Sequence, residues 1–264
     1  MLKTVTLLGV SVTDENPEKV LEYVFSVVGK GKEQVFITTP NPEILVYANG
    51  HSDYKDKLNS SQVALPDGVG LVIGSYLLGK PLRHRITGVD FIEMACHATR
   101  EKPMSIGFLG GRGGVAEKAA LRLLRKYTWL EIVFIGEEWG ESGFKKAEVF
   151  GMKYMVYGKK EKIQHMTYNI QNTTIDILFV AYGFPKQEEW IYENLPHLPV
   201  KAAMGVGGAF DYLSGSIPRA PKVLRMIGLE WLFRLFVQPW RWRRQLSLFT
   251  FLFLVFKERF SKSH

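Results

Sequence analysis

The chain has 264 residues, 34 Lys and Arg against 26 Asp and Glu, a formal charge of +8 and a single cysteine, Cys96. An apolar content of 46% with 23% charge is ordinary for a soluble globular chain, and this length can bury one substantial core or two small ones. One cysteine excludes an intrachain disulfide and points to a reducing compartment.

The N-terminus opens directly into a strand-like run and lacks the charged, apolar and small-residue zones of a signal peptide, so a cytoplasmic location is expected. In chain order, short apolar runs at 4–10, 34–39, 62–65, 105–110, 131–135, 177–182 and 201–206 read as strands. Helical patterns alternate with them at 17–28, 42–49, 89–100, 115–127, 160–172 and 185–194. This alternation predicts an α/β fold with a mostly parallel sheet and helices on both faces. Ligands of such sheets bind outside the carboxyl ends of the strands, so the strand-to-helix junctions are where chemistry is expected.

Four junctions stand out. Thr38-Thr39-Pro40-Asn41-Pro42-Glu43 ends a strand in two hydroxyls, then places Asn as a helix cap before a first-turn proline. Tyr182-Gly183-Phe184-Pro185-Lys186-Gln187 runs from strand into helix, as does the glycine turn Gly205-Val206-Gly207-Gly208-Ala209-Phe210-Asp211. Gly107-Phe108-Leu109-Gly110-Gly111 opens a fourth turn. Free backbone N–H groups at such starts suit phosphate, although glycine and proline also punctuate turns that bind nothing. Leu65-Pro66-Asp67-Gly68 sets a carboxylate at a strand end, either as an ordinary turn residue or as a general base facing the crevice. Arg83 and Arg85 stand close to a helix start, solvated or available to clamp a phosphate or sugar carboxylate.

The charge is concentrated at one end. Ten of the basic residues and only Glu230 and Glu258 among the acids lie in 217–264, leaving 24 basic and 24 acidic residues elsewhere. The same stretch carries ten Trp and Phe residues. Basic and aromatic residues together favour an anionic lipid surface. Nucleic acid is a competing anionic partner, but the continuous apolar run at 246–256 fits lipid better, so no nucleic acid is expected. That run is about half the roughly 20 residues needed to cross a bilayer, so it is expected to lie in or dip into the interface. Residues 1–216 are therefore read as a core and 217–264 as an appendage; because the strand pattern ends near Val206, a cut near Ser216 is expected to leave a folded core. Arg234, Arg241 and Arg244, spaced by seven and three, share a face if that stretch is one helix, although Pro239 would break it.

Several chemistries find no motif. The six histidines show no metal-ligand spacing, there is no Asp-x-Asp pair, and neither a phosphate-loop lysine motif nor a serine elbow is present. The glycine turn at 110–114 lacks the dinucleotide spacing. No metal and no cofactor are expected.

Taken in order, Thr38-Thr39-Pro40-Asn41-Pro42-Glu43, Pro66-Asp67-Gly68, Arg85-Ile86-Thr87-Gly88, Gly107-Phe108-Leu109-Gly110-Gly111, Phe184-Pro185-Lys186-Gln187-Glu188, Gly205-Val206-Gly207-Gly208, Arg219-Ala220-Pro221 and Glu230-Trp231 resemble the WecG/TagA/CpsF glycosyltransferase family over nearly the whole chain. The resemblance implies a Rossmann-like core with a helical C-terminal appendage that meets the membrane. It also implies an inverting, metal-independent enzyme that moves a sugar, N-acetylmannosamine type favoured, from a UDP-sugar donor to a saccharide on polyprenyl diphosphate. The settings are teichoic acid and cell-surface polysaccharide synthesis, and the expected location is peripheral, on the inner face of the cell membrane. Asp67 is then the expected base, with Thr39, Asn41 and Arg85 beside it. Gly110, Gly111, Gln187, Gly207, Gly208 and Asp211 would shape the donor site, and Arg234, Arg241 and Arg244 would meet diphosphate charge. A non-catalytic nucleotide-sugar-binding membrane scaffold and a nucleotide-dependent oxidoreductase on the same fold are the rival readings. The particular sugar, the acceptor saccharide and any homo-oligomer stay open.

Overall fold

A computed structural model describes residues 2–137, 148–157, 160–169 and 174–261. In chain order the first half runs β1 (Thr4–Leu7), β2 (Val10–Thr13), α1 (Pro17–Lys30), β3 (Val35–Thr38), α2 (Pro42–Gly50), α3 (Ser52–Asn59), β4 (Val63–Ala64), α4 (Val69–Leu77), α5 (Gly88–Ala98), β5 (Ser105–Gly110) and α6 (Val115–Lys126). There follow β6 (Glu131–Gly136), β7 (Glu148–Tyr157), β8 (Lys160–Asn169), β9 (Ile175–Ala181), α7 (Lys186–Asn194), β10 (Val200–Gly205), α8 (Ala209–Leu213), α9 (Lys222–Met226), α10 (Glu230–Val237) and α11 (Trp242–Ser261). Two compact units result: a larger one of Leu21–Ile37 and Gly88–Ile217, and a smaller one of Met1–Val20, Thr38–Thr87 and Pro218–His264.

The larger unit is built on a sheet in which β3, β10, β9, β5 and β6 lie side by side and parallel, extended by antiparallel β7 and β8. Strands buried on both faces need apolar runs rather than alternation. Ile106, Phe108 and Leu109 on β5, Ile177 to Val180 on β9 and Ala202 to Met204 on β10 are all buried. Helix α6 repeats buried Ala116, Ala119, Ala120, Leu123 and Leu124 at helical spacing and ends in Arg125 and Lys126, which suits the negative end of its dipole. The Phe108 ring lies 5.8 Å from Phe179 and 5.2 Å from Phe210, fastening α8 to the sheet. Register places Gly110 opposite Ala181 and Val180 opposite Gly205, so the turns that follow β5, β9 and β10 leave from one edge.

Two expectations are corrected. The stretch 160–172 does not form the expected helix: its described part, 160–169, is β8, paired along its length with β7. Its apolar residues at 163, 166 and 168 fit either period, and the partner strand that decides the matter is not visible locally. The run 4–10 is not one strand either. It turns at Leu8 and Gly9, with φ of 50° and 80°, into an antiparallel hairpin with β2. Two successive positive φ angles match the right-handed twist of a tight hairpin. Leu8, unusual in that region, is held by its N–H, which donates to Glu258 Oε2 at 3.2 Å.

In the smaller unit, α11 packs against α2 and α4. The contact with α4 depends on Gly70 and Gly74, one helical turn apart. A Cβ at Gly70 would stand 2.6 Å from Leu248 Cδ1, and one at Gly74 would stand 2.5 Å from Phe251 Cε1. Leu248, Phe251 and Val255 form the packed face of α11, and the last two are fully buried. Gly228 closes on Val69 in the same way, 2.7 Å from its Cγ2 to a built Cβ, and its φ of 78° suits glycine. The segment from Pro218 onward thus contributes to the interior of the smaller unit. Among the described residues no helix is long and apolar enough to cross a membrane.

Candidate active site

In the smaller unit the strand end at Thr38 runs into α2 through the expected cap. Asn41 has φ −140° and ψ 173°, and its Oδ1 accepts from Ile44 N at 3.0 Å. The side-chain oxygen of Asn41 is therefore committed to the helix. Thr39 is buried beside it. The segment after β4 is laid along this strand end: Leu65 N donates to Thr38 O, and Asp67 N donates to Pro40 O, both at 2.8 Å. Asp67 thereby sits next to the Thr39 to Asn41 turn, immediately before Gly68, whose φ of 88° begins α4.

Arg85 is brought to the same place. Ile86 N donates to Pro66 O at 3.0 Å, which fixes the loop beside Asp67. Two residues earlier, the backbone N–H and Nε of Arg83 donate to the two carboxylate oxygens of Asp14 at 2.8 and 3.0 Å. Burial alone would raise the Asp14 carboxyl, but the hydrogen bonds and charge of Arg83 outweigh it and hold the group below its ordinary value. Leu82 N donates to the buried Ser75 Oγ at 2.9 Å. Arg85 itself reaches the C-terminal segment, with Nη2 donating to Arg225 O at 3.1 Å. Arg219 clasps the loop end, its Nε 3.4 Å from Glu230 Oε1 and its Nη2 3.4 Å from Thr87 Oγ1.

The three C-terminal arginines do not share one helical face. Arg234 lies on α10 and donates to Gln238 Oε1 at 3.2 Å, Arg241 ends a 3-10 turn at Pro239–Arg241, and Arg244 belongs to α11. Pro239, which has no N–H for the ladder, breaks the helix. Arg244 still arrives beside the turn at Asn41. Its Nε lies 2.8 and 2.9 Å from the two carboxylate oxygens of Glu43, and its Nη2 lies 2.5 Å from Oε2. Glu43 stands in the first turn of α2, directly after Asn41 and Pro42. The motif that contains Glu43 does not by itself give that residue a role, and Asp14 belongs to none of the motifs above.

The larger unit holds the other predicted residues. Gly110 has φ 96°, and a Cβ there would meet Ala181 C at 2.8 Å, so the turn after β5 requires glycine. Gly111 and Gly207 also have positive φ, and Gly208 begins α8. Gln187 is buried. Its Oε1 accepts from Gly207 N at 2.8 Å, and its Nε2 donates to Glu188 Oε1 at 2.7 Å. It lies flat on Gly205, where a Cβ would stand 2.9 Å from Nε2. Gln187 therefore shapes the glycine turn rather than pointing a free amide outward. Asp211 is in α8, where its carbonyl accepts from Ser214 Oγ and Ile217 N at 3.0 and 3.1 Å. Cys96 is fully buried, and burial, reinforced by Glu93, pushes its thiol far above its ordinary value, so it is no nucleophile. Among the described residues no group of three or more His, Cys, Asp or Glu could hold a metal ion.

A parallel sheet flanked by helices, with glycine turns leaving the carboxyl ends of its strands, defines a Rossmann-like α/β protein. The sequence profile of the glycosyl transferase WecG/TagA/CpsF family matches residues 5–264, and the chain belongs to that family. It is a glycosyltransferase. It is 33% identical over 222 residues to the N-acetylglucosaminyldiphosphoundecaprenol N-acetyl-beta-D-mannosaminyltransferase of Bacillus spizizenii (strain ATCC 23059 / NRRL B-14472 / W23), covering 84% of this chain and 79% of that one. The protein of the same name from Bacillus subtilis (strain 168) is 30% identical over 262 residues, covering 99% and 94%. That from Staphylococcus aureus (strain MRSA252) is 28% identical over 260 residues, covering 97% and 93%.

Proposed function

We propose that the chain transfers N-acetylmannosamine from its UDP derivative to N-acetylglucosamine carried on undecaprenyl diphosphate, in the synthesis of a teichoic acid or related surface polymer. Asp67 takes the proton from the acceptor hydroxyl, the freed oxygen attacks the anomeric carbon, and the bond to the UDP oxygen breaks from the opposite face. Configuration inverts and UDP leaves with the bonding pair. The charge appearing on the diphosphate is met by arginine side chains and backbone N–H groups in place of a metal ion. Arg85, Arg234, Arg241 and Arg244 are assigned to diphosphate, Thr39 and the Asn41 amide to sugar hydroxyls, and the glycine turns held by Gln187, with Asp211, to the nucleotide.

The observation that carries this reading is Arg244. Although 201 residues separate it from Glu43 in sequence, it is seated on the first turn of α2, next to the strand end where Asp67 lies.

The enzyme works as a peripheral protein on the inner face of the membrane. The outer face of α11 supports this: Trp242, Leu246, Phe249, Phe253, Phe256 and Phe260 recur at helical spacing and are all exposed. The basic excess of 217–264 would draw that face to anionic head groups.

The test is UDP release from UDP-N-acetylmannosamine with a short-chain polyprenyl diphosphate N-acetylglucosamine, compared between wild type and Arg244→Ala. Acceptor-dependent release with inverted product, reduced by Arg244→Ala, is expected. UDP-sugar binding without release would establish a non-catalytic scaffold instead.

A further inference from the structure

We infer that Glu43 is a positioning residue that sets Arg244 for a diphosphate; the inference rests on the reading of Arg244 as a diphosphate-binding residue. A guanidinium has three usable edges. Glu43 takes the one formed by Nε–H and one Nη2–H, with both carboxylate oxygens engaged. The remaining Nη2–H and the two Nη1–H groups make no hydrogen bond among the described residues. The arginine side chain is 40% exposed and the glutamate 26%, so the guanidinium is the more accessible member of the pair. The open Nη1/Nη2 edge is itself a planar two-donor fork, the geometry that phosphate oxygens accept.

An exposed arginine on its own samples many rotamers, and ordering it on a ligand costs conformational entropy. Glu43 is itself held, being in the first turn of a helix capped by Asn41 and begun by Pro42. Fixing one edge of the guanidinium on a carboxylate whose backbone is held in the helix removes part of that cost before the diphosphate arrives. The pair is net neutral, so its contribution is direction rather than added charge. The diphosphate can belong to the UDP donor or to the polyprenyl carrier; the chemistry is the same.

The experiment uses the full chain with Glu43→Ala, Glu43→Gln, Arg244→Ala and the Glu43→Ala/Arg244→Ala double variant. UDP affinity by calorimetry reads the donor side. The KM for short-chain polyprenyl diphosphate N-acetylglucosamine reads the carrier side. Glu43→Ala is expected to lower kcat/KM by about 10-fold or more, the scale of a misplaced binding group. Glu43→Gln, which keeps one acceptor oxygen for Nε–H, is expected to lose less. On the Arg244→Ala background, Glu43→Ala is expected to change kcat/KM by less than about twofold, because the two residues act as one unit. A merely structural glutamate would instead cost the same on both backgrounds, and that result overturns the inference. So does tighter UDP or acceptor binding in Glu43→Ala, which would make Glu43 a competitor of the diphosphate. If Arg244→Ala lowers activity while Glu43→Ala does not, the inference fails alone. If Arg244→Ala leaves UDP affinity and acceptor KM within about twofold, the assignment of Arg244 falls first.

Discussion

Phe251 and Phe253 are two residues apart on one helix and should fail in opposite assays. Phe251 is fully buried, with its ring pressed on the backbone at Gly74, where no side chain exists to relax into a vacated space. Phe→Ala in a core costs about 3–5 kcal/mol, and a site that cannot collapse belongs near the middle or top of that range, about 4 kcal/mol. At about 2–4 °C per kcal/mol for a chain of this size, Phe251→Ala should melt roughly 10 °C below wild type. Phe253 is 66% exposed, so Phe253→Ala should leave the melting temperature within about 1–2 °C. Its cost appears on lipid instead. Losing most of a phenyl group's transfer free energy, about 1.5–3 kcal/mol, should weaken binding to vesicles with anionic lipid by roughly 10-fold or more. Differential scanning calorimetry and vesicle co-sedimentation on the same preparations read both effects. Equal melting temperatures for wild type and Phe251→Ala would refute the packing of α11 on α4, and an unchanged vesicle affinity for Phe253→Ala would refute the outward face.

Asp67→Asn should retain the fold and UDP binding yet lower turnover by roughly 100-fold or more, the scale of one general base, measured at saturating donor and acceptor; near-wild-type turnover removes Asp67 from that role. EDTA should leave UDP release unchanged, and loss of activity restored by Mg²⁺ or Mn²⁺ would show a cation at work. Asp14→Asn should cost about 1.5–3 kcal/mol at neutral pH, the range for hydrogen bonds to a charged group. Because the folded Asp14 carboxyl lies below its unfolded value of 3.8, its contribution is fully present above about pH 4 and is lost as pH falls through the folded value. Denaturant melts of wild type and variant should therefore differ by a constant amount from pH 5 to 7 and converge in acid.

The parallel part of the sheet was legible because its strands are largely apolar, and the turns after them announce themselves with glycine, proline and a capping Asn. What could not be read depended on partners far away in sequence. Helix α4 looks like a loop, since Gly70 and Gly74 lower helix propensity. Those glycines make sense only once Leu248 and Phe251 are laid across them. The residues at 160–169 carry a pattern consistent with either period, and only pairing with β7 makes them a strand. Within the candidate site, Asp67 and Asn41 stand out by turn and cap chemistry and Arg85 by its place near a helix start. Glu43 does not, because a glutamate in a first helical turn is explained well enough by the dipole. Asp14 was invisible for a related reason: its meaning lies in Arg83, 69 residues away.

The placement of α11 also changes what a truncation can teach. A neutral core and a basic tail suggest that cutting near Ser216 separates anchoring from catalysis. Yet the same helix that exposes its aromatic stripe also buries Phe251 and Val255, supplies Glu258 to the hairpin turn at Leu8 and seats Arg244 on Glu43. Removing it uncovers apolar faces of α2 and α4 and deletes an arginine from the site at once, so loss of activity would follow from any of three causes. Single substitutions keep them apart, because each face of the helix answers in a different measurement: Phe251→Ala in melting temperature, Phe253→Ala in vesicle binding, Arg244→Ala in kcat/KM. A helix with one buried apolar face, one exposed aromatic stripe and charged residues near its two ends fits the proposed role of holding the enzyme on a membrane surface while Arg244 serves the proposed site.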